Sequence, residues 1–400
     1  MNTVRKISIR IFVILSLFFP AFYSIFDADY LIEYYAGFSW AYAALAVFLL
    51  CQLLQHRIRR RSCFFWILLV GILLYNLLFT YYNIRYHHWY GEQINNTIAL
   101  LLLLFLVGSE EDSTEDQELA LFVIRAAVFS NLCSILYFAL GYSNLLICNN
   151  QVIFGRLPED FYEYRHYWVY SHKSDYAVML LGFIGLCIRY KTLFSKKAVY
   201  LLSLAVLLTA LALTHSWTGI MGAILVFAGA VLDRIDFKKI VITKFHIAGG
   251  VGLVIAAGLA GKVLLAERNL LTLGDRLPIW KETLRTIVEY PKGWGFYFGE
   301  VLLKCENGFT TNNAHNIFLN AVLRFSIPVG LCFTLLFLLI FAYALYKCRS
   351  WMAAGMCLAV LVLINMDYAL QNYEVAMCLM LLYLVCIAPA KNKTKERMLP

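Results

Sequence analysis

Arg276, Lys281, Arg285, His315, Asn316, Asn320 and Arg324 fall within one polar interval, 262–324, of an otherwise apolar chain. Arg268, Lys292 and Lys304 lie there too. Guanidinium groups offer permanently charged, forked donors, so a set of this kind suits the stabilisation of phosphate oxygens. A histidine among them adds a group that can take or give a proton near neutral pH. The spacing predicts how these residues are presented. Asp275 is placed to cap a helix entered through Leu277-Pro278. Trp280, Leu284, Ile287 and Val288 then recur at helical spacing, with Lys281 and Arg285 flanking the stripe. Tyr290-Pro291-Lys292-Gly293-Trp294-Gly295 should stop that helix and let backbone amides approach an anion. A second helix starting near Asn313 would align Asn316, Asn320 and Arg324 on one face and put His315 at its positive end. An interfacial helix with snorkelling basic side chains is the other reading of the same pattern.

The elements that hold this interval are membrane spans. The chain has 400 residues, 62% hydrophobic and 15% charged, where soluble domains carry roughly a quarter charged residues. The expected fold class is an all-α polytopic membrane protein, one integral domain over 1–400. Spans of roughly 17–25 residues are predicted near 10–26, 37–54, 63–82, 95–108, 119–141, 175–190, 198–214, 217–232, 245–262, 325–346, 351–366 and 375–388. The first is read as a retained anchor. Twelve transmembrane helices place both the N- and C-termini in the cytoplasm. The charges agree: Arg57, Arg59, Arg60 and Arg61 follow the second span, and Arg189, Lys191, Lys196 and Lys197 follow the sixth. Short external loops are nearly free of Lys and Arg, as the positive-inside rule requires. The net charge of +9 therefore reports topology, and no nucleic-acid partner is expected.

Two long external loops remain, 142–174 and 263–324, each expected to hold short amphipathic helices. The first contributes Arg156, Arg165 and Lys173. Cys148 and Cys305 fall in the two loops, where a disulfide between them or two free thiols are both open. Asn76 and Asn131 read as interhelical hydrogen-bonding groups and Arg125 as a snorkelling cation. Asp175 reads as a helix cap, and Glu33, Asp367 and Glu374 as rim residues. No Asp-x-Asp occurs in the external loops, so no metal is expected at the site, and no cofactor.

The order Arg276-x-x-x-Trp280, Pro291-x-Gly-x-Gly295, Ala314-His315-Asn316-x-x-Leu319 and Pro328-x-Gly330 resembles the O-antigen ligase/polymerase family of bacterial envelope glycosyltransferases. Arg165-His166-Tyr167-Trp168 through His172-Lys173-Ser174-Asp175-Tyr176 resembles that family's motif at the opening of a mid-chain span. His215-Ser216-Trp217-Thr218-Gly219 is similar to its Ser-Arg-x-Gly turn, with Trp217 where arginine is common. The resemblance covers about 165–345. It implies a glycosyltransferase of the bacterial inner membrane, with its active site on the outer face. Such an enzyme polymerises polyprenyl-diphosphate-linked oligosaccharide repeat units, with the bilayer, a chain-length regulator and a flippase as further partners. The resemblance implies Arg276 and His315 as catalytic residues, Arg276 toward the diphosphate and His315 toward the acceptor hydroxyl or a phosphate. Arg285, Arg165, Arg156, Lys173, Asn316, Asn320 and Arg324 are the expected substrate-binding set. A ligase of the same family and, from another class, a lipid-linked oligosaccharide flippase remain open. A flippase would place its cations on spans around a central cavity, whereas here they gather in loops.

Overall fold

A computed structural model describes residues 2–20, 40–55, 62–86, 91–109, 113–148, 151–157, 165–235, 276–294, 302–306, 308–367, 369–370 and 374–389. The chain is mostly helical, as expected. Helices α1 (Asn2–Phe18), α2 (Trp40–Leu54), α3 (Cys63–Tyr86), α4 (Gly91–Gly108), α5 (Ser113–Ala139), α6 (Lys173–Arg189), α7 (Lys197–Leu213) and α8 (Trp217–Leu232) form the first part. After the polar interval come α11 (Ile327–Lys347), α12 (Trp351–Met366) and α13 (Glu374–Leu382), the last continuing as a π-helical turn, Tyr383–Ile387. Three of them, α3, α5 and α11, are long and apolar enough to cross a membrane by length and composition. The other apolar helices among the described residues are shorter and occupy the stretches where spans were expected. The predicted span 245–262, together with Asp275, Glu33, Lys262, Arg268 and Gly295, lies outside the described residues.

Polar side chains tie the helices together. Asn76 on α3 accepts from Gln93 Nε2 at 3.1 Å and from Thr97 Oγ1 at 2.9 Å, both on α4. Asn131 on α5 accepts from the Tyr176 hydroxyl of α6 at 2.6 Å. Both are the interhelical bonds expected of amides in an apolar bundle, where an unsatisfied polar group has no water to turn to. Helices α8 and α12 approach through small residues instead. A Cβ on Gly229 would strike the Trp351 carbonyl, and one on Gly355 would strike the Leu225 carbonyl. Arg125 is exposed on α5.

Three expectations need correction. Among its described residues, the loop 142–174 carries no amphipathic helix before α6. It folds as an antiparallel hairpin of β1 (Tyr142–Cys148) and β2 (Gln151–Arg156). Its β1 strand accepts the returning chain, with Leu145 donating to the Trp168 carbonyl at 2.7 Å. The signal was present in Leu145-Leu146-Ile147 facing Val152-Ile153-Phe154 around a short turn, a strand pattern rather than a helical one. For the two loop cysteines both readings were open, and Cys305 is a free, buried thiol. Asp367 and Glu374 are buried, not rim residues. Asp175 is buried as well, and the cap of α6 is His172, whose Nδ1 accepts from Ser174 N at 3.2 Å.

Candidate functional site at the helix ends

Helix α9 (Arg276–Glu289) begins where the Leu277-Pro278 signal put it and stops before Tyr290. Its buried face is Ile279, Thr283, Thr286 and Ile287, while Leu284 and Val288 are exposed. The predicted stripe was thus rotated by about one position. Thr283 and Thr286 enter the buried side because their hydroxyls donate back to the Ile279 and Glu282 carbonyls and so need no outside partner. From the same helix the Trp280 indole N–H donates to the Ala314 carbonyl at 3.0 Å. Arg276 and Trp280, one turn apart, therefore both face the turn that carries His315.

That turn is built by asparagines. Asn313 Oδ1 accepts from the His315 backbone N–H at 2.9 Å, an Asx turn that helps hold His315 at φ 48°. Asn316 caps α10 (Ile317–Phe325) by accepting from the Phe318 and Leu319 amides, each at 3.0 Å. The helix starts at 317 rather than near 313 because this cap ends the turn. Asn316 Nδ2 also donates to the Asn365 carbonyl at the end of α12. Asn320 Oδ1 accepts from Ala314 N at 2.9 Å. The oxygens of Asn316 and Asn320 are thus spent on shaping the chain. A short hairpin, β3 (Leu303–Lys304) with β4 (Thr310–Thr311), precedes the turn.

In the described part of the glycine turn, 290–294, Gly293 and Trp294 serve packing. Gly293 has φ +93°, and a Cβ there would lie 2.5 Å from Ser326 N. The turn 290–294 docks on the α10–α11 junction, with Ile327 N donating to the Pro291 carbonyl and Trp294 N to the Leu323 carbonyl. Gly330 likewise admits the backbone of Val322. The two Pro-x-Gly signatures read as one elbow that fixes α9 over α10.

At the centre, the Arg276 guanidinium lies 2.8 Å from Asp367 Oδ1 and donates through Nε to the Met366 carbonyl at 2.9 Å. Both partners are largely buried, which shields the pair from solvent. His315 is pushed down to about 4, first by burial and then by the Arg276 charge; Asp367 opposes this and His172 reinforces it. The imidazole is therefore neutral at physiological pH, not poised near 7. Its Nδ1 is buried and has no hydrogen-bond partner among the described residues. A buried, unpaired ring nitrogen beside a guanidinium is matched to a ligand that brings a hydroxyl or phosphate oxygen.

His172 reaches the site from the first loop, fixed at the start of α6. The segment before it is anchored by His166, which is fully buried. Its Nε2 lies 2.6 Å from Ser134 Oγ, which in turn lies 2.8 Å from the Tyr176 hydroxyl. Tyr176 gives its proton to Asn131, so the chain runs from a His166 Nε2–H through Ser134 and Tyr176 to Asn131. Burial pushes His166 down to about 4, in keeping with this neutral form.

The predicted set therefore divides. Arg276 and His315 are brought together, with His172 and Asp367. Lys173 is the half-buried first residue of α6, next to His172. Arg324 sits one turn beyond Asn320, its Nη2 3.1 Å from Glu92 Oε1 of α4. Arg285 is exposed, 3.9 Å from Glu282 on its own helix. Arg156 and Arg165 are exposed, and among the described residues neither is bonded or paired to Arg276, His315 or His172. Sequence reasoning missed Asp367 and Asp175. Asp175 accepts from Leu370 N at 3.0 Å and from Ser171 Oγ at 3.1 Å, and so holds the turn that carries Asp367. A carboxylate closing an apolar helix, as Asp367 closes α12, was the one available signal. No known family model matches the chain, and no curated protein matches it.

Proposed function

We propose that this chain is a membrane glycosyltransferase that joins polyprenyl-diphosphate-linked oligosaccharide units, with Arg276 and His315 at its centre. The observation that carries this reading is the neutral, buried His315 with an unpartnered Nδ1 beside the Arg276–Asp367 pair. The family resemblance of these same residues supports it. In the transfer, the acceptor hydroxyl oxygen attacks the anomeric carbon while the bond from that carbon to the diphosphate oxygen breaks. The diphosphate leaves with the negative charge, and the hydroxyl proton must go to a base. Arg276 would stabilise the leaving group, since a guanidinium shielded from water acts strongly on developing charge. Asp367 holds it in place. His315 Nδ1 would take the proton. Burial holds His315 down first and the Arg276 charge second; an anionic diphosphate would offset the second, so the base strengthens where the leaving group binds. His172 is placed to donate to the same phosphates.

In this reading the helices are the crossings of a twelve-span bundle of the bacterial inner membrane, with both termini inside and 142–174 and 263–324 outside. A flippase is less suited, because Arg276, Arg285 and Arg324 lie on short helices α9 and α10 between spans. Polymerase and ligase share this chemistry and differ in the acceptor. The test is Arg276→Ala and His315→Ala in cells carrying the natural glycan. Both variants should accumulate in the membrane and lose long chains at least a hundredfold. Full-length glycan from both would refute the assignment. Single repeat units on the acceptor mark a lost polymerase, and a bare acceptor marks a lost ligase.

A further inference from the structure

A cavity of about 540 Å³ opens at the other end of the same helices. Helix α6 runs from Lys173, just after its cap His172, to Arg189, so at 17 residues it separates the two places by about 25 Å. Five cations line this cavity: Arg189, Lys191, Arg234, Lys347 and Arg349. Asp233 is the one carboxylate beside them among the described residues, and it is already committed. Its two oxygens accept from Trp351 N at 2.6 Å and Met352 N at 3.1 Å, capping α12. Arg189 donates to the Val385 and Ala388 carbonyls at the end of the π-helical turn. Lys347 lies over the Tyr343 and Tyr346 rings. No ion pair to a carboxylate involves any of the five among the described residues.

Basic residues at helix C-termini are ordinary, because they complement the helix dipole and mark topology. Solvated topology markers repel one another and point apart. Here they border one concave space, whose floor includes apolar Leu106 and Ile188. Like charges held around a shared cavity are stabilised by an anion that several of them touch at once. The volume exceeds a carboxylate, and the position at the helix ends is the level of lipid headgroups.

We propose that this cavity is a phosphate-binding site, filled by the headgroup of an anionic phospholipid with its glycerol end against the apolar floor. The site is separate from the Arg276–His315 centre and does not depend on the reaction assigned there.

Thermal unfolding of the purified full chain, followed by tryptophan fluorescence in uncharged detergent, tests this. Phosphatidylglycerol should raise the transition by several degrees in a saturable way, and phosphatidylcholine should not. Lys191→Gln with Arg349→Gln should move the phosphatidylglycerol midpoint at least tenfold, and Arg234→Gln alone by a few fold. Lys281→Gln, at the opposite end, should leave it unchanged. Glycerol phosphate without acyl chains should need a far higher concentration. Equal potency of glycerol phosphate would overturn the lipid as the source. Equal stabilisation by phosphatidylcholine, or a midpoint unmoved in the variants, would overturn the site.

Discussion

The His315 site and the far cavity treat positive charge in opposite ways, although Arg5 and Lys6, near that cavity, pair with Glu115 and Glu118. At the His315 end, cations are matched to carboxylates: Arg276 with Asp367, Arg324 with Glu92 and Lys281 with Glu306. At the far end, Arg189, Lys191, Arg234, Lys347 and Arg349 share a cavity whose only described carboxylate caps a helix. Pairing offsets part of the cost of burying the Arg276 guanidinium and fixes its direction, which suits a group that must be in position before a charge develops. Unmatched cations around a cavity suit a site that collects an anion from its surroundings.

The largest effect should come from breaking the matched end. Asp367→Ala leaves Arg276 largely buried without its carboxylate, which typically costs about 3 kcal/mol or more. Thermal unfolding should show the loss, and glycan chain formation should fall with it. A variant as stable as the parent would mean that Arg276 finds another acceptor. The comparison sharpens through pH. The acid limb of kcat/KM, which reports the free enzyme, should lie near the His315 value of about 4, and that of kcat should lie higher because bound diphosphate offsets Arg276. A single limb near 6.5 in both would show an imidazole that is neither buried nor in the Arg276 field. The same depression has a sign for stability. Below its ordinary value the unfolded chain protonates His315 while the folded one does not until about 4, so stability is full above about 6.5 and declines as pH falls toward 4. His166 acts in the same direction. In His315→Asn the decline between those values should be shallower. The smallest effect is expected at Asp175→Asn, which weakens the hold on the 367–370 turn by about 1 kcal/mol. Its mark is a fall in glycan chain formation in a protein that unfolds at nearly the parental temperature. Unchanged activity would show that Asp367 does not need this support.

Much of the helical scaffold was legible in hydropathy, because an apolar run long enough to leave water has few alternatives to a helix. The ends of α6, α8 and α12 fall within a few residues of expectation. Helix α9 was legible from Pro278 and its periodicity, as was the nearness of Arg276 to Trp280. Its rotation was not, since Thr283 and Thr286 satisfy their own hydroxyls and pass as buried residues. The hairpin 142–156 was misjudged because an amphipathic surface segment was assumed where alternating branched residues called for strands.

By itself, the sequence determined where the chain is apolar, where its cations gather and which turn presents His315, because those properties are local. Tertiary structure decided what the cations do. Arg276 and Asp367 are 91 residues apart, and Asp175 supports their turn from 195 residues away. No periodicity reports such pairs; they exist because the ends of α6, α9, α10 and α12 meet. The same packing depressed His315, since burial and a neighbouring guanidinium, not residue type, set the proton affinity of an imidazole.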